Sequence, residues 1–214
     1  GVAMTPKAGA HGELCGLLCI RAAHEAKGDP RSVILVPESA HGTNPATAAF
    51  AGYKVENIPA TADGRVDLAA LQSRLGPDVA GVMITNPNTC GLFERDMKAI
   101  SDAVHAVGGY VYCDGANFNA IVGKVRPGDL GVDAMHINLH KTFSTPHGGG
   151  GPGSGPVVLS AALAPFGPLP FTVRMADGTV RLVEEADAAE MGHDQAFGRM
   201  AAFHGQMGMF TRAL

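Results

Sequence analysis

The amino-acid sequence predicts an α/β fold built on a mainly parallel sheet with helices on both faces. Short apolar segments alternate along most of the chain with segments of helical periodicity, and the connections between them are short. This alternation is typical of doubly wound sheets, in which each helix returns the chain to the same end of the sheet. Glycine is also abundant, at 29 of 214 residues, which indicates tight turns where strands lead into helices.

Five of the apolar segments are predicted to be buried strands. They are too short for ordinary helices and are rich in β-branched, aromatic and other apolar residues, which favours strands that are covered on both faces. In chain order these strands are predicted at residues 32–37, 53–60, 79–85, 109–114 and 133–138. The intervening helices are predicted at residues 12–27, 44–52, 67–75 and 96–107.

The alternating pattern ends after Gly155. A strand and a short helix are predicted next, followed by a hairpin with its turn at Asp177 and Gly178. The remaining residues, 195–214, are predicted to form a helix. This end of the chain therefore differs from the doubly wound part.

The composition argues against several classes of function. With 46% hydrophobic residues, 17% charged residues, a formal net charge of -4 and scattered Lys and Arg, we expect neither a nucleic-acid nor an anionic membrane partner. No apolar run approaches the roughly 20 residues of a membrane span, and GVAMTPKAGA lacks the features of a signal peptide, so the expected location is cytoplasmic. The four cysteines and nine histidines show no CxxC pair, no HxxxH pair on a predicted helix and no Cys/His cluster, so no metal site is predicted.

Polar residues follow the predicted strands at their C-terminal ends, where ligands bind in open α/β sheets. A turn of small residues, AGAHGE, also leads into the first helix, and the free N–H groups of a helix N-terminus bind anions. We therefore expect one crevice to collect the following residues: Gly9, Ala10, His11, His41, Thr43, Asn86, Asp114, His140 and Lys141.

This combination matches the requirements of pyridoxal phosphate. The cofactor needs a lysine for covalent attachment, an acidic residue at its pyridinium nitrogen, a ring stacked on the pyridine and N–H groups around its phosphate. Lys141 is predicted to be the covalent anchor, Asp114 to keep the ring nitrogen protonated and His41 to stack on the ring. These three residues are the predicted catalytic residues, and the other residues of the crevice are predicted to bind the cofactor.

Each of these residues alone has a simpler explanation. Asp114 could be a turn former, His41 could make a structural hydrogen bond, and Lys141 could be a surface charge. The glycine run at residues 148–151 matches neither GxGxxG after a first strand nor GxxxxGK[ST], so a nucleotide loop is not favoured. The occurrence of all these residues at successive strand ends favours the cofactor site.

Four motifs carry a family resemblance: SAHGTNPA, TNPNTCGLFE, YCDGANFNAI and NLHKTFSTPHGGGGPGSGP. They resemble glycine dehydrogenase (decarboxylating), the P-protein of the glycine cleavage system, in its separate second-subunit form. The resemblance implies the fold type I architecture of pyridoxal phosphate enzymes. It also implies decarboxylation of glycine and transfer of the aminomethyl group to the lipoyl arm of the H-protein, with the first P-protein subunit or N-terminal half as a further partner.

Matched by motif, the family assigns the covalent lysine to Lys141, the pyridinium partner to Asp114 and the stacking ring to His41. The turn AGAHGE matches a family segment with Gln where this chain has His11, so the resemblance implies the backbone contacts of Gly9 and Ala10, whereas the side chain at residue 11 differs from that of the family. The glycine run at residues 148–151 is expected to bring bare backbone over the site.

Family members extend beyond both ends of this sequence. The resemblance therefore implies a large cofactor-binding domain over residues 1–160, with residues 161–214 as its C-terminal part and the start of a small domain. Two alternatives remain open at this point. One is another fold type I enzyme that acts on glycine or β-hydroxy amino acids, such as a hydroxymethyltransferase or aldolase, and the other is a catalytically incomplete fragment.

Overall fold

A seven-stranded sheet with helices on both faces forms most of the molecule, and a two-stranded sheet lies later in the chain. The structure, a computed structural model, describes residues 1–143, 145, 147–148 and 151–214. The strands of the large sheet are β1 (Val2–Ala3), β2 (Val33–Pro37), β3 (Lys54–Ile58), β4 (Val79–Thr85), β5 (Tyr110–Gly115), β6 (Ala134–Ile137) and β7 (Val157–Leu159). The small sheet consists of β8 (Phe171–Arg174) and β9 (Val180–Val183).

The α-helices of the described residues are mostly crossovers between these strands. They are α1 (Gly9–Ala26), α2 (Thr43–Phe50), α3 (Leu68–Arg74), α4 (Met97–Ala106), α5 (Leu139–Thr142) and α6 (Met207–Ala213). Short 3-10 turns occur at Phe118–Ala120, Pro127–Leu130 and Ala164–Phe166. Within the described ranges, no helix is both long and apolar enough to cross a membrane.

The strand order in the large sheet is β1-β7-β6-β5-β4-β2-β3. Strands β2 to β6 pair in parallel, whereas β7 is antiparallel to β6, and β1 is antiparallel to β7. The predicted mainly parallel α/β fold is confirmed. The five predicted strands are all present, within about two residues at each end, which is the usual uncertainty of element boundaries.

Side-chain alternation along β5 divides the core into two layers. Tyr110 and Tyr112 pack in the layer that contains α1 and α2, whereas Val111 and Cys113 pack in the layer that contains α3 and α4. Because successive side chains of a strand point to opposite faces, Asp114 at the end of β5 lies on the same face as the two tyrosines. This alternation places Asp114 beneath α1 and α2.

Helix α1 packs unusually close to the sheet through its glycines. A Cβ atom on Gly12 would lie 2.6 Å from His136 Cβ and 2.8 Å from the carbonyl oxygen of Gly155, and neither distance is tolerable. Gly155 is equally restricted, since its own Cβ would lie 2.2 Å from the carbonyl oxygen of Ala8. The missing side chains therefore allow the first turn of α1 to lie directly against β6 and the segment before β7.

The C-terminal part of the chain differs from its prediction in one respect. The hairpin is present, with Gly178 at a φ of 86° in its turn, but the helix predicted over residues 195–214 is wrong because only Met207–Ala213 is helical. Gly198 and Gly205 adopt φ values of 120° and 106°, which are incompatible with a continuous right-handed helix. A Cβ on Gly205 would also lie 2.5 Å from the carbonyl oxygen of Met4, so close backbone packing determines this segment. The division of the chain at residue 160 stays a prediction.

The burial of the cysteines leads to a prediction about thiol reactivity. Cys15, Cys19 and Cys113 are buried, whereas Cys90 is exposed. Burial raises the pKa of Cys113 to about 12, and the hydrogen bond with Cys19 together with burial raises the pKa of Cys15. Because the thiolate is the reactive form, brief treatment of the native protein with iodoacetamide is expected to alkylate Cys90 alone.

Peptide mass spectrometry of the alkylated protein locates the modified cysteine. Cys90→Ser is the control and should remain unmodified over the same time, while both proteins should become fully alkylated in denaturant. Rapid alkylation of Cys15 or Cys19 in the native protein would contradict the packing of α1 on the sheet, and rapid alkylation of Cys113 would contradict the packing of α3 and α4 on β5.

Candidate active site

The candidate site lies at the C-terminal ends of the central strands, as the open-sheet rule predicts. The parallel register places Thr85 of β4 beside Asp114 of β5, and Asp114 beside His136 of β6. The N-terminal turn of α1 and the start of α2 lie over these side chains. Together they form a pocket of about 140 Å³ lined by Gly9, Ala10, Glu13, His41, Thr43, Asp114, Ala116, His136, Asn138, His140 and Lys141.

Most of the residues predicted from sequence meet in this pocket. The three predicted catalytic residues, Lys141, Asp114 and His41, line it together. Four of the predicted cofactor-binding residues also line it: Gly9, Ala10, Thr43 and His140. Their juxtaposition is therefore a feature of the fold, while the roles assigned to them stay predictions.

His11 and Asn86 do not line the pocket. The His11 ring turns away from it, where Nδ1 accepts a hydrogen bond from the Lys7 backbone N–H at 3.2 Å. Burial lowers the pKa of His11, and a hydrogen bond to the Met200 backbone acts in the opposite direction. Asn86 is buried, and its Oδ1 accepts the Glu94 backbone N–H at 2.9 Å, so it holds the loop after β4.

Asp114 is 1% exposed and is held by donors from three elements. Its Oδ1 accepts the Ala116 backbone N–H at 2.8 Å, and its Oδ2 accepts Asn44 Nδ2 at 3.0 Å. His136 Nε2 lies 3.4 Å from Oδ1. These contacts, from the turn after β5, from α2 and from β6, compensate the removal of a carboxylate from water.

His136 lies between the Tyr112 phenol and the Asn138 amide, and its burial favours the neutral imidazole. Burial lowers its pKa, and burial raises the pKa of Tyr112, so the phenol keeps its hydrogen. The Tyr112 hydroxyl lies 2.5 Å from Nδ1 and donates to it, while Nε2–H donates to Asn138 Oδ1 at 2.9 Å. His136 therefore presents an N–H to the Asp114 side of the pocket.

The sequence analysis missed Glu13, which is 2% exposed and lies one helical turn after Gly9. Its Oε1 accepts from the Thr43 hydroxyl at 2.6 Å, and its Oε2 accepts from Asn44 Nδ2 at 3.0 Å. The sequence did contain a signal for a buried carboxylate, because Glu13 follows Gly12 within an otherwise apolar stretch of α1. His136 and Asn138 were also missed, although both lie within the strand predicted at residues 133–138.

Glu13, His41 and Asp114 offer atoms that lie within 4.8 Å of one another, a spacing that metal ligands can adopt. Asn44 Nδ2 already donates to one oxygen of Glu13 and to one oxygen of Asp114, so these two carboxylate oxygens accept hydrogen bonds in this structure. The expectation that the site holds no metal stays a prediction.

Lys141 belongs to α5, the short helix that follows β6. Its backbone N–H bonds to the Asn138 carbonyl at 3.0 Å, and its side chain is exposed at the mouth of the pocket. The neighbouring His140 stacks on His147 with ring centroids 4.3 Å apart, and burial lowers the pKa of His140. Two residues of the glycine run that was predicted to cover the site, Gly149 and Gly150, lie outside the described residues.

Similarity to known proteins covers the whole chain. A protein from Caulobacter vibrioides named "Probable glycine dehydrogenase (decarboxylating) subunit 2" is 69% identical over 99% of this chain and 40% of its own length. A protein of the same name from Thiobacillus denitrificans is 56% identical over 100% of this chain and 43% of its own length. The chain therefore spans 40% to 43% of these curated relatives, and the resemblance drawn from its motifs is confirmed.

Solved structures confirm the fold. Glycine decarboxylase (P-protein) of the glycine cleavage system, in inhibitor-bound form, gives a TM-score of 0.72 at 22% identity over 98% of this chain and 46% of that one. A sphingosine-1-phosphate lyase from Burkholderia pseudomallei gives 0.65 at 16% identity, over 100% of this chain and 46% of that one. The family model for aminotransferase class-V matches residues 16–151, which include β2 to β6 and Lys141. The chain belongs to the aminotransferase class-V family.

Proposed function

We propose that this chain forms the pyridoxal phosphate site of a glycine dehydrogenase (decarboxylating) of the second-subunit type. One observation carries the proposal: Lys141, Asp114 and His41 line a single pocket, and the turn at Gly9 and Ala10 lies in its wall. The strong similarity to curated relatives of that name supports the same function. Glycine is the proposed substrate.

The residues of the pocket fit the cofactor chemically. Lys141 supplies a primary amine for the aldehyde, Asp114 supplies a buried carboxylate for the ring nitrogen, and His41 supplies a flat ring. Helix α1 begins without a side-chain cap at Ala8, so the N–H groups of its first turn have no side-chain acceptor. Free N–H groups at the start of an 18-residue helix favour a phosphate at this end of the pocket.

When bound, pyridoxal phosphate supplies an electron sink for the bond that is broken in decarboxylation. Asp114 stabilises positive charge on the ring nitrogen, which strengthens that sink. The contacts of Asn44 and Ala116 hold the carboxylate in place, and the Asp114 side chain has almost no exposure to water. Low exposure makes its electrostatic interaction stronger than it would be at a surface.

The proposed partners are a first subunit and the lipoylated H-protein, which accepts the aminomethyl group. The name shared by the relatives, subunit 2, supports the first of these. The proposed location is the cytoplasm. The division of the chain into a cofactor domain over residues 1–160 and a following C-terminal part belongs to the same proposal.

Attachment of the cofactor to Lys141 is directly testable. Mixing the protein with pyridoxal phosphate should produce the visible absorbance band of lysine-bound cofactor, and borohydride reduction followed by mass spectrometry should locate a pyridoxyl group on Lys141. Lys141→Ala should lose both signals because no other amine lines the pocket as described. Lys124→Ala, on an exposed turn, is the matched control and should keep both. An undiminished band in Lys141→Ala would contradict the assignment.

The role of Asp114 predicts weaker cofactor binding in Asp114→Asn. A hydrogen bond to a charged group contributes about 1.5–3 kcal/mol, so binding should weaken by roughly ten- to a hundredfold in a fluorescence titration with pyridoxal phosphate. Asp133→Asn is the matched control, because Asp133 is also buried but binds Val111 and His105 at the other end of the sheet. Equal weakening in both variants would indicate a general loss of folding.

The reaction itself is tested by glycine-dependent exchange of labelled bicarbonate, with the first subunit and lipoylated H-protein present. Exchange is expected for the wild-type chain, and none is expected for Lys141→Ala. Cleavage of a β-hydroxy amino acid without bicarbonate exchange would instead support the hydroxymethyltransferase or aldolase alternative.

A further inference from the structure

Glu13 is a buried carboxylate in the wall of the candidate pocket, and the proposed cofactor chemistry gives it no role. It is 2% exposed and lines the pocket together with Asp114 and Lys141. Its Oε1 accepts from the Thr43 hydroxyl at 2.6 Å, and its Oε2 accepts from Asn44 Nδ2 at 3.0 Å. Both oxygens therefore accept hydrogen bonds, as the oxygens of an ionised carboxylate do.

The Asn44 amide joins Glu13 to Asp114. Its Nδ2 lies 3.0 Å from Glu13 Oε2 and 3.0 Å from Asp114 Oδ2, and its Oδ1 accepts from the Thr85 hydroxyl at 3.1 Å. A flipped amide would place its oxygen against both carboxylates, so Nδ2 must face them. One amide group thus holds the two carboxylates close together, and one oxygen of each lies within 4.8 Å of the other.

The negative charges of this pair lack a fixed cation. Among the described residues, no lysine or arginine forms an ion pair with either carboxylate, and burial favours the neutral form of His136, whose Nε2 lies 3.4 Å from Asp114 Oδ1. Lys141 is the single lysine or arginine among the lining residues of the pocket as described. Two like charges this close repel each other, and a cationic ligand group beside them relieves that repulsion.

We propose that Glu13 is a positioning residue that acts alongside Asp114 as a second carboxylate and selects a cofactor ring with a positive charge. The inference rests on the proposed function, because pyridoxal phosphate supplies that ring and Asp114 is the proposed partner of its nitrogen. Glu13 acts on the ring charge from the wall of the same pocket, and through Asn44 it holds the Asp114 carboxylate in place.

A purely structural role for Glu13, as a hydrogen-bonded link between α1 and α2, predicts a different result. Such a role would affect every ligand of the pocket equally, whereas a charge effect depends on the ring nitrogen. The measurement therefore compares pyridoxal phosphate with its 1-deaza analogue, in which carbon replaces the ring nitrogen and the ring has no positive charge. Fluorescence titration gives the ring preference, which is the dissociation constant of the analogue divided by that of pyridoxal phosphate.

Glu13→Gln is expected to lower the ring preference by about tenfold, because the amide keeps the shape of the side chain and removes its charge. Glu13→Asp keeps the charge on a shorter side chain, so its ring preference should stay near that of the wild type even where both compounds bind less tightly. Glu25→Gln is the matched control, since Glu25 lies on the exposed face of the same helix and pairs with Arg21. That variant should leave both dissociation constants unchanged.

A second test leaves Glu13 in place and decides the matter if Glu13→Gln does not fold. In Asp114→Asn, Glu13 remains as the carboxylate of the pair. The ring preference of this variant should therefore stay about tenfold above the ratio that Nα-acetyl-lysine shows for the same two aldehydes in water.

Equal weakening of both compounds in Glu13→Gln would overturn the inference, as would a ring preference in Asp114→Asn no higher than that of the free amine. Attachment of the cofactor to Lys141 together with an unchanged ring preference in Glu13→Gln would contradict this inference alone and leave the proposed function intact. Failure of pyridoxal phosphate to label Lys141 would contradict the proposed function, and this inference with it.

Discussion

The buried carboxylate of Asp114 is the group on which the arrangement of the site depends. A charge with 1% exposure is stable only when donors surround it, and these donors come from three different elements. Ala116 belongs to the turn directly after the same strand, Asn44 to α2 and His136 to the adjacent strand. Satisfying this one carboxylate therefore couples the positions of α2, β5 and β6.

The approach of α1 to the sheet is the second constraint. Gly12 and Gly155 allow backbone contacts that no side chain would permit, so the first turn of α1 lies directly over His136. The same close approach brings Glu13 within hydrogen-bond distance of Thr43 and Asn44. The pocket consequently contains two buried carboxylates, Glu13 and Asp114, which both accept from the Asn44 amide. Two negative charges so close together favour a cationic group beside them.

The fold and much of the candidate site could be predicted from local sequence patterns. Apolar runs located the five main parallel strands, and the polar residues after them located His41, Asp114 and Lys141. Prediction failed for residues 195–206, where Gly198 and Gly205 adopt backbone angles that a right-handed helix does not allow. A local sequence pattern carries no information about the contact between Gly205 and Met4, because these residues are distant in sequence.

The sequence by itself determined the order of strands and helices and the end of the sheet at which polar groups collect, because periodicity and turn residues act over a few positions. Only the tertiary structure decided which of those polar groups meet. It turned the His11 ring away from the pocket and joined Glu13, Thr43 and Asn44 into one hydrogen-bonded set. The physical reason is that a buried donor or acceptor must find a partner wherever the packed elements supply one, and that partner is often far away along the chain.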